Sequence, residues 1–211
     1  TVCMNTTGIQ LTFEGSNATA EYVFDYVFGG DTFQVTTTNG IAQVTVPTDQ
    51  DGSFSYETIH ITESSAAQCT AVPGLENTVV VLPLPHAEIT ADTLVCQDDP
   101  GVALAITGSN STAPYIFTYT VNGVPQTGSG TPVLSILQST TVADTFSYHL
   151  TGVTDGSIRT CNTILDTTIR VIVNPLPNAQ VIGDTSVCHL SPAPSVTFIG
   201  ANGTSPYIFT Y

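Results

Sequence analysis

An all-β chain made of one small sandwich module used in series is what this sequence predicts, on three observations. A hexapeptide recurs: Pro114–Tyr119 and Pro206–Tyr211 both read PYIFTY, and Glu21–Tyr26 reads EYVFDY, at steps of 93 and 92 residues. Other landmarks keep the step, with Phe54-Ser55-Tyr56 answering Phe146-Ser147-Tyr148, Pro83-Leu84-Pro85 answering Pro175-Leu176-Pro177, and Cys69 answering Cys161. Within each period, apolar and polar residues alternate with the period of two that marks strands. A period near 92 residues is too long for a solenoid unit and long enough for a domain with its own core.

Repeat two shows the strands in order. Ala87–Thr90 and Val102–Thr107 open it. Tyr115, Phe117, Tyr119 and Val121 then share one face with Ile116, Thr118 and Thr120 on the other. Thr131–Leu137 follows, then Phe146, Tyr148 and Leu150 alternating with Ser147, His149 and Thr151, and last Ile169, Val171 and Val173 alternating with Arg170 and Ile172. Thr and Val suit a pleated, half-buried surface, and almost no segment carries a helical period. Gly108-Ser109-Asn110, Asn122-Gly123 and Asp155-Gly156-Ser157 supply turns, because Gly and Asn tolerate positive φ. Six or seven strands in one period make an immunoglobulin-like sandwich the expected architecture. The chain has no Trp, and its cysteines do not stand where an antibody domain has them. The expected boundaries are 1–85 for repeat one, 86–177 for repeat two and 178–211 for a partial third copy. Pro83-Leu84-Pro85 and Pro175-Leu176-Pro177 form short stiff joints, since proline fixes φ and cannot donate to a ladder. A chain that starts and stops inside its repeat pattern is expected to belong to something longer.

Charge narrows the function. Lys and Arg number 2 against 17 Asp and Glu, a formal charge of −15, while 41% of residues are hydrophobic. Two cations cannot neutralise a phosphate backbone or an anionic lipid surface, so nucleic acid and electrostatic membrane docking are excluded as partners. The apolar share is that of a folded chain. No apolar run of 18 residues is present, so no membrane insertion is expected in this segment. Five cysteines, two per full repeat and one in the partial copy, match one disulfide per module. The expected bridges are Cys3 to Cys69 and Cys96 to Cys161, with Cys188 left for a partner beyond the last residue. Connectivity is not fixed by sequence, and buried free thiols are the alternative. Bridges point to an oxidising, extracellular setting.

A module that runs from Asp-Thr-x-Val-Cys through Thr-Ala-Pro-Tyr-Ile-Phe-Thr-Tyr and Thr-Phe-Ser-Tyr to a second Cys and Val-Asn-Pro-Leu-Pro resembles the PKD-like, immunoglobulin-like tandem repeats of giant surface proteins of Bacteroidota, among them the adhesins of gliding bacteria. The resemblance covers the whole chain. It implies export by the type IX secretion system, display at the cell surface and a filamentous form, and it supplies no catalytic residues. Repeat one departs from the pattern at Glu21 and Asp25.

Candidate chemistry is sparse. His60, His86, His149 and His189 occupy different repeat positions and form no ligand-spaced pair, and no Gly-x-Ser-x-Gly elbow occurs; no enzyme and no cofactor are expected. Calcium is the one metal weighed. Asp49-Gln50-Asp51-Gly52-Ser53 resembles the opening of a calcium loop, although position twelve would be His60. Asp98 and Asp99, with Asp92 and Asp184, are candidates for an interdomain calcium site, against a reading in which Asp92 caps a turn. Asn17, Asn110 and Asn202 open Asn-x-Thr sequons at one register in all three copies, which marks either glycosylation or a shared turn. Thr93 and Thr167 fit a bacterial O-glycosylation pattern. The expected function is a structural stalk or filament segment of a large adhesin that presents a distal adhesive region, in gliding motility or surface attachment. Its partners would be neighbouring repeats, with any surface or glycan ligand held elsewhere. A carbohydrate- or partner-binding module, and a subunit of a strand-exchanged filament, are the alternatives.

Overall fold

Every regular element is a strand in the computed structural model, which describes residues 1–18, 21–183 and 186–211. Repeat one carries β1 (Val2–Cys3), β2 (Gln10–Glu14), β3 (Tyr22–Phe28), β4 (Asp31–Thr37), β5 (Ile41–Thr45), β6 (Gly52–Glu63), β7 (Thr70–Ala71) and β8 (Leu75–Leu82). Repeat two carries β9 (His86–Thr90), β10 (Leu94–Cys96), β11 (Val102–Ser109), β12 (Tyr115–Val121), β13 (Val124–Gly130), β14 (Val133–Gln138), β15 (Thr145–Thr154) and β16 (Asn162–Asn174). The third copy contributes β17 (Asn178–Gly183) and β18 (Val196–Ala201).

Repeat two forms a five-stranded sheet in the order β10-β16-β15-β12-β13 and a three-stranded sheet in the order β14-β11-β9. The short β10 runs parallel to β16, with Cys96 opposite Asn174. Repeat one repeats the larger sheet as β1-β8-β6-β3-β4, with β7 beside β6, and pairs β2 with β5. Here β1 runs parallel to β8, with Cys3 opposite Leu82. This division of strands between two sheets, with a short parallel strand on the edge of the larger one, is an immunoglobulin-like β-sandwich. In the third copy β17 and β18 pair antiparallel.

The alternation read from sequence is the alternation of burial. Tyr115, Phe117 and Tyr119 of β12 are buried while Ile116 and Thr118 face out. Leu104 and Ile106 of β11, Leu150 of β15 and Val171 of β16 are also at or near zero exposure. Each such aliphatic or aromatic side chain contributes about 1.5–3 kcal/mol on burial. Repeat one builds its core from Phe13, Phe24, Tyr26, Ala42, Val46 and Tyr56. Strand β13 is missing from the sequence reading because Pro125, Gly128 and Gly130 disfavour strands. Its position on the sheet edge is where a proline is tolerated.

Two compact units divide the chain. The first comprises Thr1–His86 with Ser109–Ala113 and Thr154–Thr163; the second comprises Ala87–Gly108, Pro114–Val153 and Ile164–Tyr211. Two loops of sequence repeat two therefore belong to the first unit.

The expected disulfides are corrected by the structure. Cys3 bonds Cys161, with an S–S distance of 2.00 Å and Cα atoms 5.7 Å apart across 158 residues of sequence. Cys69, Cys96 and Cys188 are free and exposed. The reason is strand length. Within repeat one, Cys3 stands beside Leu82 at the end of β8, whose neighbour Val81 pairs with Gly52 at the start of β6. Cys69 lies beyond Glu63, the far end of that twelve-residue strand, so roughly 35 Å separate the ends at about 3.3 Å per residue. Repeat two has the same problem, with Cys96 beside Asn174 and Cys161 just before Asn162, at opposite ends of β16. A disulfide needs Cα atoms within about 7 Å. The bridge between Cys3 and Cys69 and the bridge between Cys96 and Cys161 are both geometrically closed.

Candidate functional site

The feature that distinguishes this chain is the junction around the Cys3–Cys161 bond, made of two preformed pieces. The first piece is a strand-end turn. After Cys3, Met4 donates its N–H to Leu82 O at 2.8 Å, Asn5 takes φ 62° and donates to Thr48 O at 2.7 Å, and Thr6 returns to Cys3 O at 3.2 Å. The left-handed residue turns the chain away from β8 and leaves the cysteine at the sheet end, a position Asn tolerates.

The second piece is a loop closed by an acidic residue. Asp155 is buried, and its backbone N–H bonds Cys161 O at 2.9 Å. Its Oδ1 accepts from the Ser157 N–H at 3.2 Å and the Ser157 hydroxyl at 2.8 Å, while Oδ2 accepts from the Ser111 hydroxyl. Thr160 takes φ 48° and donates to Ser157 O. A buried carboxylate holding several donors is a stable arrangement, since each hydrogen bond to a charged group contributes about 1.5–3 kcal/mol. The Ser157 hydroxyl also lies 3.8 Å from Cys161 Sγ. One further bond ties this region to the proline joint: Thr163 Oγ1 donates to Pro85 O at 2.6 Å, while Ser111 Oγ, whose proton goes to Asp155, lies 3.4 Å from Pro83 O. Pro85 is fully buried.

Repeat one carries the same loop. Glu63 stands for Asp155, Ser65 for Ser157 and Cys69 for Cys161. The Glu63 N–H bonds Cys69 O at 3.1 Å, and its carboxylate accepts from the Ser65 N–H at 3.0 Å, the Ser65 hydroxyl and the Cys69 N–H at 3.1 Å. The Ser65 hydroxyl, then the Cys69 N–H, hold the Glu63 carboxyl below its ordinary value of 4.5.

The asparagines of the three sequons share one conformation: Asn17, Asn110 and Asn202 have φ of 67°, 66° and 64°. A tyrosine locks the turn. Tyr22 OH donates to Ala18 O at 2.9 Å and accepts from the Ala18 N–H at 3.2 Å; Tyr207 does the same to Gly203 at 2.6 and 3.1 Å. The ring lies on a glycine, so a Cβ at Gly15, Gly108 or Gly200 would meet Tyr22, Tyr115 or Tyr207 at 2.7, 2.4 and 2.4 Å. The recurrence of Asn therefore has a structural cause in Gly-x-Asn followed by Tyr. Thr19 of the first sequon lies outside the described residues.

Among the described residues the calcium candidates form no cluster of three or more ligands. Asp49 and Asp51 are exposed on the connection between β5 and β6. Asp92 is exposed before β10. Asp98 is the left-handed residue of its strand-end turn, φ 65°. Asp99 accepts from the Cys96 N–H at 2.9 Å. Asp184 lies outside the described residues. Among the described residues no group of three or more His, Cys, Asp or Glu side chains could hold a metal ion. Thr93 is exposed beside β10 and its carbonyl accepts from the Ile172 N–H. Thr167 is exposed on β16 next to Asp166, which lies 3.0 Å from His149 Nε2.

Sequence reasoning missed Glu63 and the role of Asp155, although both stand six residues before a loop cysteine with Ser two residues on. That shared spacing was the available signal.

No protein-family model matches the chain, and no curated protein matches it. Among solved structures, an amphioxus IgVJ-C2 molecule is 16% identical over 74% of this chain and 94% of its own, with a TM-score of 0.32. The D0-D1 domain of Intimin is 12% identical over 82% of this chain and 94% of its own, with a TM-score of 0.24. At such values neither likeness bears on function. The class of protein, an immunoglobulin-like β-sandwich chain carrying a disulfide, stands on the sheet order above.

Proposed function

We propose that this chain is a stalk segment of an extracellular surface adhesin, in which tandem sandwiches transmit force and hold a separate adhesive region away from the cell. The observation that carries the reading is the Cys3–Cys161 bond, which links one repeat to the next. Both cysteines lie in the first compact unit, and under tension their bond prevents the chain between them from extending. The Thr163 bond onto the Pro85 carbonyl supports the same reading, because it ties the start of β16 to the proline joint. Secretion through the type IX system and a part in gliding belong to this proposal through the resemblance described above. The acidic surface, at a formal charge of −15, keeps identical modules from associating sideways.

A binding module is the weaker reading. The tyrosines at the head of the recurring hexapeptide, Tyr22 and Tyr115, are buried in the sandwich and offer no platform for a sugar ring.

Single-molecule stretching between the termini tests the proposal. Oxidised chain should withhold the 158-residue span between Cys3 and Cys161, and reductant should release roughly 500 Å of additional length at about 3.3 Å per residue. Equal extension with and without reductant would remove the mechanical role. Retention of a carbohydrate by the isolated chain on a glycan array would transfer the case to the binding reading.

A further inference from the structure

The molecule holds one complete junction and, elsewhere, both of its halves unpaired. Cys96 reproduces the surroundings of Cys3. Gln97 donates to Asn174 O at 2.7 Å as Met4 does to Leu82 O, Asp98 takes φ 65° and donates to Thr140 O as Asn5 does to Thr48 O, and Asp99 returns to Cys96 O at 3.3 Å as Thr6 does to Cys3 O. The third copy keeps the turn, with Leu190 at φ 69° and Ser191 bonded to Cys188 O at 3.1 Å. Cys69 reproduces the surroundings of Cys161. The backbone bond from the acidic residue to the cysteine carbonyl recurs, Gln68 takes φ 49° against 48° for Thr160, and Gln68 donates to Ser65 O as Thr160 does to Ser157 O. Both thiols are free and exposed.

Neither half can satisfy itself inside its own repeat, because β6 and β16 keep the two cysteines of one module at opposite ends of the sheet. Nor do the two free halves belong together, since Cys69 is a loop cysteine of repeat one and Cys96 a strand-end cysteine of repeat two. The bond already formed defines the rule: a strand-end cysteine takes the loop cysteine of the module that follows it in sequence.

We propose that Cys96 and Cys69 are covalent docking sites for further copies of this same module, Cys96 receiving the loop cysteine of a copy placed after repeat two and Cys69 being received by the strand-end cysteine of a copy placed before repeat one. Each new bond converts two thiols to one disulfide, releasing two protons and two electrons to a disulfide oxidant. One thiolate attacks the oxidant and expels its first thiolate; the second thiolate attacks the mixed disulfide and expels the other. With oxidised glutathione the products are the module–module bond and two glutathione thiols. An inserted loop cysteine left free beside an intact Cys3–Cys161 bond would sink this junction and leave the stalk reading intact, whereas loss of that bond would sink both.

The test is the full chain carrying a second copy of residues 86–177 inserted after Pro177, produced in a glutathione redox buffer and mapped without reduction. The expected result is that Cys96 is joined to the inserted copy of Cys161, Cys3 stays joined to the original Cys161, and Cys69 is recovered alkylated. Cys96→Ser in that chain should leave the inserted loop cysteine free to alkylating reagent. Retention of the Cys3–Cys161 peptide reports that the flanking modules have folded. An inserted loop cysteine that remains free beside an intact Cys96, or bonds a cysteine of its own copy, overturns the proposal. In the 211-residue chain, maleimide should label Cys69 and Cys96 without denaturant and spare Cys3 and Cys161. Recovery of Cys96 joined to the original Cys161 would overturn it equally.

Discussion

Repeats one and two place a tyrosine at the same point of the core, Tyr56 and Tyr148, and one difference in their surroundings is the partner of the hydroxyl. Tyr148 OH donates to Gln138 Oε1 at 2.6 Å. The position equivalent to Gln138 is Val46, itself buried, and Tyr56 OH is buried with no hydrogen-bond partner. Burial raises the pKa of both phenols, with a smaller contribution from the neighbouring tyrosine, Tyr26 or Tyr119. Repeat one answers with aromatic packing: Phe28 stacks on Tyr56 at 4.6 Å and 11°, and Phe54 and Phe33 close around Phe28. One fold thus tolerates two solutions in the core, while the loop that carries the cysteine keeps its hydrogen bonds in both copies. The loop chemistry is the more demanding part of the module.

Removing the bond between the repeats breaks that comparison most strongly. Cys3→Ser with Cys161→Ser should lower stability to denaturant by up to about 5 kcal/mol, the loop-closure value for a 158-residue span. Cys69→Ser, its counterpart in repeat one, should leave the unfolding curve unchanged. Next in size is the glycine beneath the locking tyrosine. Gly108→Ala should destabilise by about 3 kcal/mol in chemical denaturation, since overpacking against a fixed ring forces the backbone to move. Gly15→Ala should destabilise slightly less, in line with 2.7 Å of clearance against 2.4 Å.

The core pair sharpens the comparison further. Gln138→Val should lower stability by about 1–2 kcal/mol by leaving Tyr148 OH unpaired, and Val46→Gln should recover about 1 kcal/mol by giving Tyr56 OH an acceptor. A stabilising Val46→Gln with a neutral Gln138→Val would show that the aromatic cluster, and not the hydroxyl, decides the tyrosine position. The smallest effect is a pH dependence. Glu63 has a folded pKa below its unfolded one, so its contribution is fully present above the ordinary value of 4.5 and is lost as pH falls through the lowered folded value. Stability of the wild type should therefore fall more steeply below pH 4.5 than that of Glu63→Gln, which can be followed by denaturant titration at each pH.

The alternation of Tyr115, Phe117 and Tyr119 with Ile116 and Thr118 was sufficient to determine a strand, its buried face and, repeated through the period, a sandwich. Side chains on successive residues of an extended chain must point to opposite faces, so burial follows from order in sequence. Even the shared Gly-x-Asn turn was legible, because positive φ restricts which residues stand there. Edge strand β13 was not, since at an edge the ladder tolerates Pro125 and the local preference carries no signal. The cysteines mark the other limit. Their count per module matched one bridge each, but pairing depends on distance, and distance within the module is set by the length of β6 and β16 and the end of the sheet at which each turn leaves. Only the folded chain shows that Cys3 meets Cys161, because that requires strands brought together from positions 158 residues apart.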